Sequence, residues 1–258
     1  QEMLLRMNSQ TLEQIHPGNS EFIKTMLNIT HSYTDDNEVK VYTDGHLYFR
    51  DMFEDIRNAK ETINFEFYII RNDEMGDGLF NLFTKKVKEG VEVRVMCDAF
   101  GFGKGPKKAM RKFVKAGGMF TLFHSRATCL LSPRKNNRNH RKMMIIDSNI
   151  GWTGGHNFGK EYFGMGPLGH WRDTSVKIVG GAVRGLQARF LIDWRYATKE
   201  DLTVEEKFYK NVPGSGDKIV QIISGGPDVI ENSPIHAQYM MLFTRCRKTL
   251  YIHTPYLV

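Results

Sequence analysis

Apolar positions alternate between two periods along most of the chain. Tyr48, Phe49, Met52, Phe53 and Ile56 recur at helical spacing and predict an amphipathic helix over His46–Ala59. Thr62–Ile70 is almost continuously apolar and rich in β-formers, which suits a buried strand. Leu79, Leu82, Phe83 and Val87 mark one side of a helix over Gly78–Lys88, which Gly90 stops before a strand at Val91–Cys97. The pattern repeats as helix Lys107–Ala116, the stop Gly117-Gly118 and strand Met119–Phe123. Further strands are expected at Val39–Tyr42, His140–Asp147, Gly151–Thr153 and Thr174–Val179, with a loop over 124–139 and a helix over Ala182–Tyr196. Such short strand–helix units predict an α/β fold.

The two ends read differently. Residues 1–38 form a polar lead-in with a short helix around Glu21–Ile29. Val212–Lys218 has the composition of a linker, followed by a strand at Ile219–Ser224, a helix from Ile235 to Arg245 and an apolar strand at Leu250–Val258. That ending echoes an earlier stretch. A helix closing on Lys60-Glu-Thr62 leads into Tyr68-Ile69-Ile70, and one closing on Arg247-Lys-Thr249 leads into Tyr256-Leu257-Val258. The echo suggests an internal repeat offset by 187 positions (249 − 62). The expected organisation is therefore a lead-in over 1–38, a first domain over 39–211, and over 212–258 a linker with the start of a second, truncated copy.

At 258 residues, with 41% hydrophobic and 25% charged content, the composition is that of a globular protein able to bury a full core. No apolar run approaches the roughly 18 to 20 residues that span a bilayer. The first residues lack the basic-then-apolar order of a signal peptide, and the chain does not begin with Met, so a piece of a longer protein is expected. Three widely separated cysteines, Cys97, Cys129 and Cys246, show neither disulfide nor zinc spacing and are expected to be small buried apolar residues. The net charge of +7 favours anionic partners: nucleic acid, acidic headgroups or phosphorylated substrates.

The candidate chemistry lies in His140-Arg-Lys142-Met-Met-Ile-Ile-Asp147. On a strand, side chains alternate faces, so His140 and Lys142 project side by side while Asp147 points the other way. Imidazole can attack a phosphodiester, and ammonium can hold the phosphoryl oxygens as charge develops. Asp147 is expected to fix backbone or pair with a base. With a hairpin centred near Ser148, Gly154 lies opposite Lys142 and His156 opposite His140, so Gly154-Gly155-His156-Asn157 borders the same pocket. Glycines admit close approach to a phosphate, and the Asn157 amide can donate to it. Gly101-Phe-Gly-Lys104-Gly has the wrong spacing for a phosphate loop and reads as a flexible loop. The basic helix carrying Lys107, Lys108, Arg111, Lys112 and Lys115 reads equally as a solvated face or as a contact with an acidic membrane. Arg134, Lys135 and Arg138 are placed to gather phosphates near the pocket entrance, while His124, His156 and His170 show no evident partners.

The pattern His-x-Lys-x4-Asp-x6-Gly-Gly-x-Asn resembles the signature of the phospholipase D superfamily. Phe158-Gly-Lys-Glu-Tyr162, Trp171-Arg172-Asp173, Tyr42-Thr-Asp-Gly45, Glu66-Phe-Tyr68-Ile, Gly90-Val-Glu-Val-Arg94 and the closing Thr254-Pro255-Tyr256 extend that similarity, colinearly over about residues 40–258, to bacterial cardiolipin synthases. The resemblance implies a phospholipase D-like α-β-α sandwich with a mixed central sheet, the second repeat truncated. It implies that His140 is the nucleophile or its acid/base partner, that Lys142 and Asn157 bind phosphate, and that Asp173 orients the catalytic imidazole. It implies chemistry without metal or cofactor. It further implies transfer between two phosphatidylglycerols, releasing glycerol, at the cytoplasmic face of a bacterial cell membrane. The family uses two such motifs across one pocket; here the second would come from a C-terminal half, with its histidine near position 327, roughly, or from a dimer partner. Transfer to water, as in a phospholipase D or nuclease, and a catalytically silent module binding acidic lipid or nucleic acid are the alternatives.

Overall fold

The computed structural model describes residues 14, 18–30, 33–124, 138–167, 169–210, 214–226 and 233–254. The chain divides into two compact units, one of residues 34–219 and one combining residues 1–33 with 220–258.

The larger unit is built on a mixed sheet of β1 (Thr34–Tyr42), β2 (Thr62–Phe67), β3 (Glu92–Cys97), β4 (Met119–Leu122), β5 (Lys142–Ile146), β6 (Ile150–Gly154), β7 (Ser175–Val179) and β8 (Lys218–Val220), in the order β4-β3-β2-β5-β6-β7-β1-β8. β2, β3 and β4 run parallel; β5 joins β2 antiparallel, and β6, β7 and β1 continue antiparallel. The seam between β2 and β5 brings several chain ends to one end of the sheet. β2 and β6 finish there and β5 and β7 begin there.

Helices α2 (Gly45–Asn58), α3 (Glu74–Lys88) and α4 (Lys107–Lys115) follow the β1, β2 and β3 strands, and α5 (Val183–Thr198) follows β7. Asp44 caps α2 by accepting from the Leu47 amide. Asp73 caps α3 by accepting from Met75 and Gly76, and the acids Glu74 and Asp77 with the bases Lys85, Lys86 and Lys88 suit the two ends of its dipole. α3 therefore starts four residues before the expected Gly78, because the cap and not the apolar stripe sets its beginning.

The period-two alternation divides the core. Ile63, Phe65 and Phe67 of β2, with Met144 and Ile146 of β5, belong to the cluster that α2, α3 and α4 cover. Asn64 and Glu66 turn to the other face, where Asn64 Nδ2 donates to Gln187 Oε1 of α5 at 3.2 Å. The result is the α-β-α sandwich expected from the sequence. β2 ends at Phe67 and not at Ile70; Ile70 makes one isolated parallel bridge to Phe158. Ordered strand also starts at Lys142 and not at His140, since β2 offers its last pairing residue, Phe67, to Lys142.

Other expectations need correction. Gly101–Gly105 is a packed turn and not a flexible loop: Phe102 is buried, Gly101 has its Cα against the Tyr68 carbonyl, and Gly105 seats on the Phe102 ring. Cys97 is buried as expected, but Cys246 is exposed, and Cys129, Arg134 and Lys135 lie outside the described residues.

In the smaller unit, α1 (Ser20–Thr30) places Ile23 and Leu27 against Tyr33, and α6 (Pro234–Arg245) begins at the cap Ser233. α6 buries no residue, and its Arg245 pairs with Glu21 at 3.0 Å. Of the expected strand Ile219–Ser224, only Ile219 and Val220 are strand, as the end of β8. Leu250–Thr254 is not strand either, and those residues are exposed. The rest of that expected strand lies outside the described residues.

Candidate active site

The hairpin β5–β6 fixes the first half of the site. Its register pairs Ile146 with Ile150 and Met143 with Thr153, so its centre is Ser148 and Lys142 faces Gly154. Asp147 and Ser148 both hold left-handed backbone, with φ of 50° and 55°, the tight-turn geometry that Asp tolerates better than most residues. The Asp147 carboxylate accepts from three consecutive amides, Lys60 at 2.8 Å, Glu61 at 2.8 Å and Thr62 at 2.9 Å. Its own amide donates to the Thr62 carbonyl at 2.9 Å. Asp147 thus locks the start of β2 to the end of β5, at the opposite end of β5 from Lys142.

Lys142 is buried, and its Nζ donates to the His140 carbonyl at 2.8 Å and lies 5.6 Å from the Tyr68 ring centre. Burial pulls its pKa down to about 8, against a smaller upward influence of Asp173. His140 sits two residues ahead of Lys142, exposed on one side and packed edge-on against Tyr68 at 4.7 Å. Partial desolvation first, then the Lys142 ammonium, hold its pKa below the ordinary histidine range, so its ring is largely neutral near pH 7. A neutral ring is the form that can attack phosphorus.

Asn139 sets the backbone that delivers His140. Its amide donates to Asp98 Oδ2 at 3.1 Å and its Nδ2 to Glu66 Oε1 at 2.5 Å, while its Oδ1 accepts from the Arg141 amide at 3.1 Å. Asp98 also accepts from Phe100 and Gly101, which ties this clamp to the turn after β3. Glu66 is fully buried and its pKa is raised, by desolvation first and then by Asp193.

The second half comes from the chain after β6. Gly154 has φ 150° and lies so close to Ser175 that an added Cβ would fall 2.2 Å from its Oγ. At Gly155 a Cβ would fall 1.9 Å from Asp173 Oδ1. Gly154 has no room for a side chain beside the Ser175 backbone, and at Gly155 a side chain would have to displace the Asp173 carboxylate, which lies against bare backbone. Asn157 is buried between two loops: its Oδ1 accepts from the Ile69 amide at 3.1 Å and its Nδ2 donates to Tyr162 Oη at 2.9 Å. Asp173 accepts from the Thr174 amide at 2.7 Å and acts electrostatically on Lys142 and His156.

The structure therefore brings His140, Lys142, Gly154, Gly155, Asn157 and Asp173 to one end of the sheet and leaves Asp147 at the other. His156 is not the local residue expected. It is fully buried, its Nδ1 lies 2.8 Å from Ser175 Oγ, and its ring stacks on Tyr48 at 4.8 Å. Tyr68, Asn139, Glu66, Asp98 and Ser175 were not singled out for roles from the sequence. Glu66 alone carried a signal, a charge inside an apolar strand.

Residues 52–169 match the family described as cardiolipin synthase, phospholipase D-like domain. The chain is 42% identical over 227 residues to a cardiolipin synthase of Staphylococcus aureus, covering 87% of this chain and 46% of that one. It is likewise 42% identical over 233 residues to the cardiolipin synthase of Clostridium perfringens, 88% of this chain and 48% of that one. The chain thus spans about half the length of these curated relatives. Two solved structures share the fold: NucT from Helicobacter pylori, with a TM-score of 0.51 and 12% identity over 62% of this chain and 98% of that one, and a phosphatidylserine synthase of Haemophilus influenzae, with a TM-score of 0.51 and 15% identity over 67% and 40%. The chain therefore carries a phospholipase D-like domain of the cardiolipin synthase family.

Proposed function

We propose that this domain supplies one half of the active site of a bacterial phosphatidyltransferase that joins two phosphatidylglycerols into cardiolipin and releases glycerol. The observation that carries the reading is the meeting of His140, the buried Lys142 and the bare Gly154–Gly155 backbone at one sheet end. In the first step the imidazole of His140, or of its counterpart, attacks the phosphorus of one phosphatidylglycerol. The phosphorus–oxygen bond to glycerol breaks, and the opposite histidine gives the departing alkoxide its proton. The primary hydroxyl of a second phosphatidylglycerol then surrenders its proton to that same histidine and displaces the phosphohistidine. Atoms balance as two phosphatidylglycerols in, cardiolipin and glycerol out. Lys142 offsets charge on the phosphoryl oxygens, Asn157 offers its second amide hydrogen to them, and Asp173 holds the cationic partners in place. Residues 212–258 are read as a linker and the start of a second domain carrying the second motif; a dimer partner is the other source of that motif. The site would face anionic lipid at the cytoplasmic side of the membrane.

The test is mass spectrometry of products from phosphatidylglycerol vesicles, treated with this chain and with a form extended through a second motif. Cardiolipin and glycerol from the extended form, lost in His140→Asn, support the proposal. Phosphatidic acid as the only lipid product, or cleavage of nucleic acid without lipid turnover, replaces it with a hydrolase.

A further inference from the structure

Charge in this chain is unevenly distributed. Residues 99–146 contain 12 Lys and Arg and no Asp or Glu, so the remaining residues carry 24 bases against 29 acids, and the net +7 is +12 set against −5. The stretch begins at the turn after β3 and ends inside β5, and its first part is described in full. Lys104, Lys107 and Lys108 are exposed, and none of them has an ion pair among the described residues. Phe100, 47% exposed, stands beside them with the Arg138 guanidinium 3.4 Å from its ring centre.

This patch adjoins the site. Gly101 packs on the carbonyl of Tyr68, the residue whose ring touches His140 and lies under the Lys142 ammonium. Asp98, at the base of the same turn, holds the Asn139 amide. The rim made by Phe100, Lys104, Lys107, Lys108 and Arg138 is thus rigidly joined to the backbone that carries the candidate nucleophile.

We infer that this rim docks the domain on an anionic phospholipid bilayer, with Phe100 entering the headgroup region and the bases lying on the surface. The inference rests on the phosphatidyltransferase reading and adds to it the face that meets the lipid. Charge complementarity selects an anionic surface, and an exposed aromatic ring among the bases selects a bilayer, whose interface takes up apolar side chains. A lipid held there would have its phosphodiester at the level of the sheet end, without leaving the membrane plane.

Sedimentation of the chain with vesicles tests this. Vesicles of equimolar phosphatidylcholine and phosphatidylglycerol are compared with pure phosphatidylcholine. The variants are Phe100→Ser, the triple charge reversal Lys104→Glu, Lys107→Glu and Lys108→Glu, and a control triple reversal of Lys60, Lys85 and Lys88, which lie at the other end of the sheet. Each base near an anionic surface is worth about 1 kcal/mol, or about fivefold, so the rim triple is expected to bind the mixed vesicles at least about 100-fold more weakly. The control triple should bind within a few-fold of the unaltered chain, and F100S should weaken binding that persists at high salt. Equal losses in the two triples, unchanged binding by the rim triple, or equal binding to pure phosphatidylcholine would overturn the docking face. So would salt-sensitive binding to duplex DNA with none to vesicles. Binding and turnover fail separately. Rim-independent binding with cardiolipin formation by the extended form removes the face and leaves the reaction, whereas rim-dependent binding without lipid turnover removes the reaction and leaves the face.

Discussion

Lys142 should make the folded domain less stable at neutral pH than a neutral side chain in its place would. Its pKa lies at about 8 against an ordinary value of 10.5, and the first cause is burial. The sign follows from proton counts. Between those two values the unfolded chain holds a proton on Lys142 that the folded chain has lost, so stability rises with pH through that window. Below pH 8 both forms are charged and the whole cost of burying the ammonium is present, about 3 kcal/mol for a fall of this size. At pH 9 about 2 kcal/mol of it remains, by the same linkage. Lys142→Met keeps the length of the stem but removes the charge, and it gives up the bond to the His140 carbonyl, worth about 1 kcal/mol. The variant should therefore unfold at higher urea than the unaltered chain at pH 7, by about 2 kcal/mol, and its advantage should shrink by more than about 1 kcal/mol at pH 9. Urea titrations at the two pH values, followed by tryptophan fluorescence, read both numbers. Inorganic phosphate binding, followed by NMR, should be lost in the variant. An advantage that is independent of pH, or a variant less stable than the parent at pH 7, would refute the reasoning that an ammonium is held against its solvation to meet a phosphate.

Three further substitutions report on neighbouring parts. Asn139→Ala leaves the Glu66 carboxyl without its amide donor; it should cost about 1–3 kcal/mol in urea unfolding and move the His140 ring titration seen by NMR, an effect that a loss of packing alone would not produce. Asp147→Ala removes the acceptor for three amides and should cost about 2 kcal/mol, while phosphate binding, measured at a temperature where the fold persists, stays within a few-fold of the parent. Gly155→Ala must push Asp173 aside; the Lys142 pKa should then fall further, and phosphate affinity at pH 7 should drop, because the carboxylate that favours the ammonium has moved away.

Local periodicity was enough to read the α/β class, while the sandwich with its mixed sheet was implied by the family resemblance. The alternation in β5 separated its two faces, and a turn centred near Ser148 set the hairpin register, because a two-residue period leaves little choice once the turn is placed; the split of β2 between two faces was not legible, because its run is almost continuously apolar. Ends were less legible: α3 begins at a side-chain cap that apolar spacing does not register, and β2 stops where its neighbours stop. The candidate site was legible where chemistry follows from a motif, at His140 and Lys142. The parts built by long-range contact were not. Asn139 is an ordinary polar residue in sequence and becomes a clamp only when β3 delivers Asp98 and β2 delivers Glu66. Ser175 and His156 meet because β6 and β7 pair, and neither announces the other. At the C-terminal end, the pattern predicted a strand over Leu250–Val258, whereas its described residues are not strand; pairing with a neighbour is a requirement that composition does not encode.

The buried acids on the far face of the sheet have a consequence for how sequences of this kind can vary. Glu66 and Asp193 are almost wholly buried, and Arg141 and Arg189 stand with them: Arg141 pairs with Asp193 at 3.2 Å, and Arg189 reaches it through two nitrogens. Burial raises the Glu66 pKa and favours its neutral carboxyl, so the interior charge is the Asp193 carboxylate held between two guanidiniums. Replacing Asp193 alone leaves both guanidiniums without that acceptor, whereas losing it together with one of them sets fewer charges adrift. Substitution at Arg141, Arg189 and Asp193 should therefore be correlated across divergent members, with loss of the carboxylate accompanied by loss of a guanidinium. A library that randomises these three positions together should recover folded chains without Asp193 mostly where a guanidinium is gone as well.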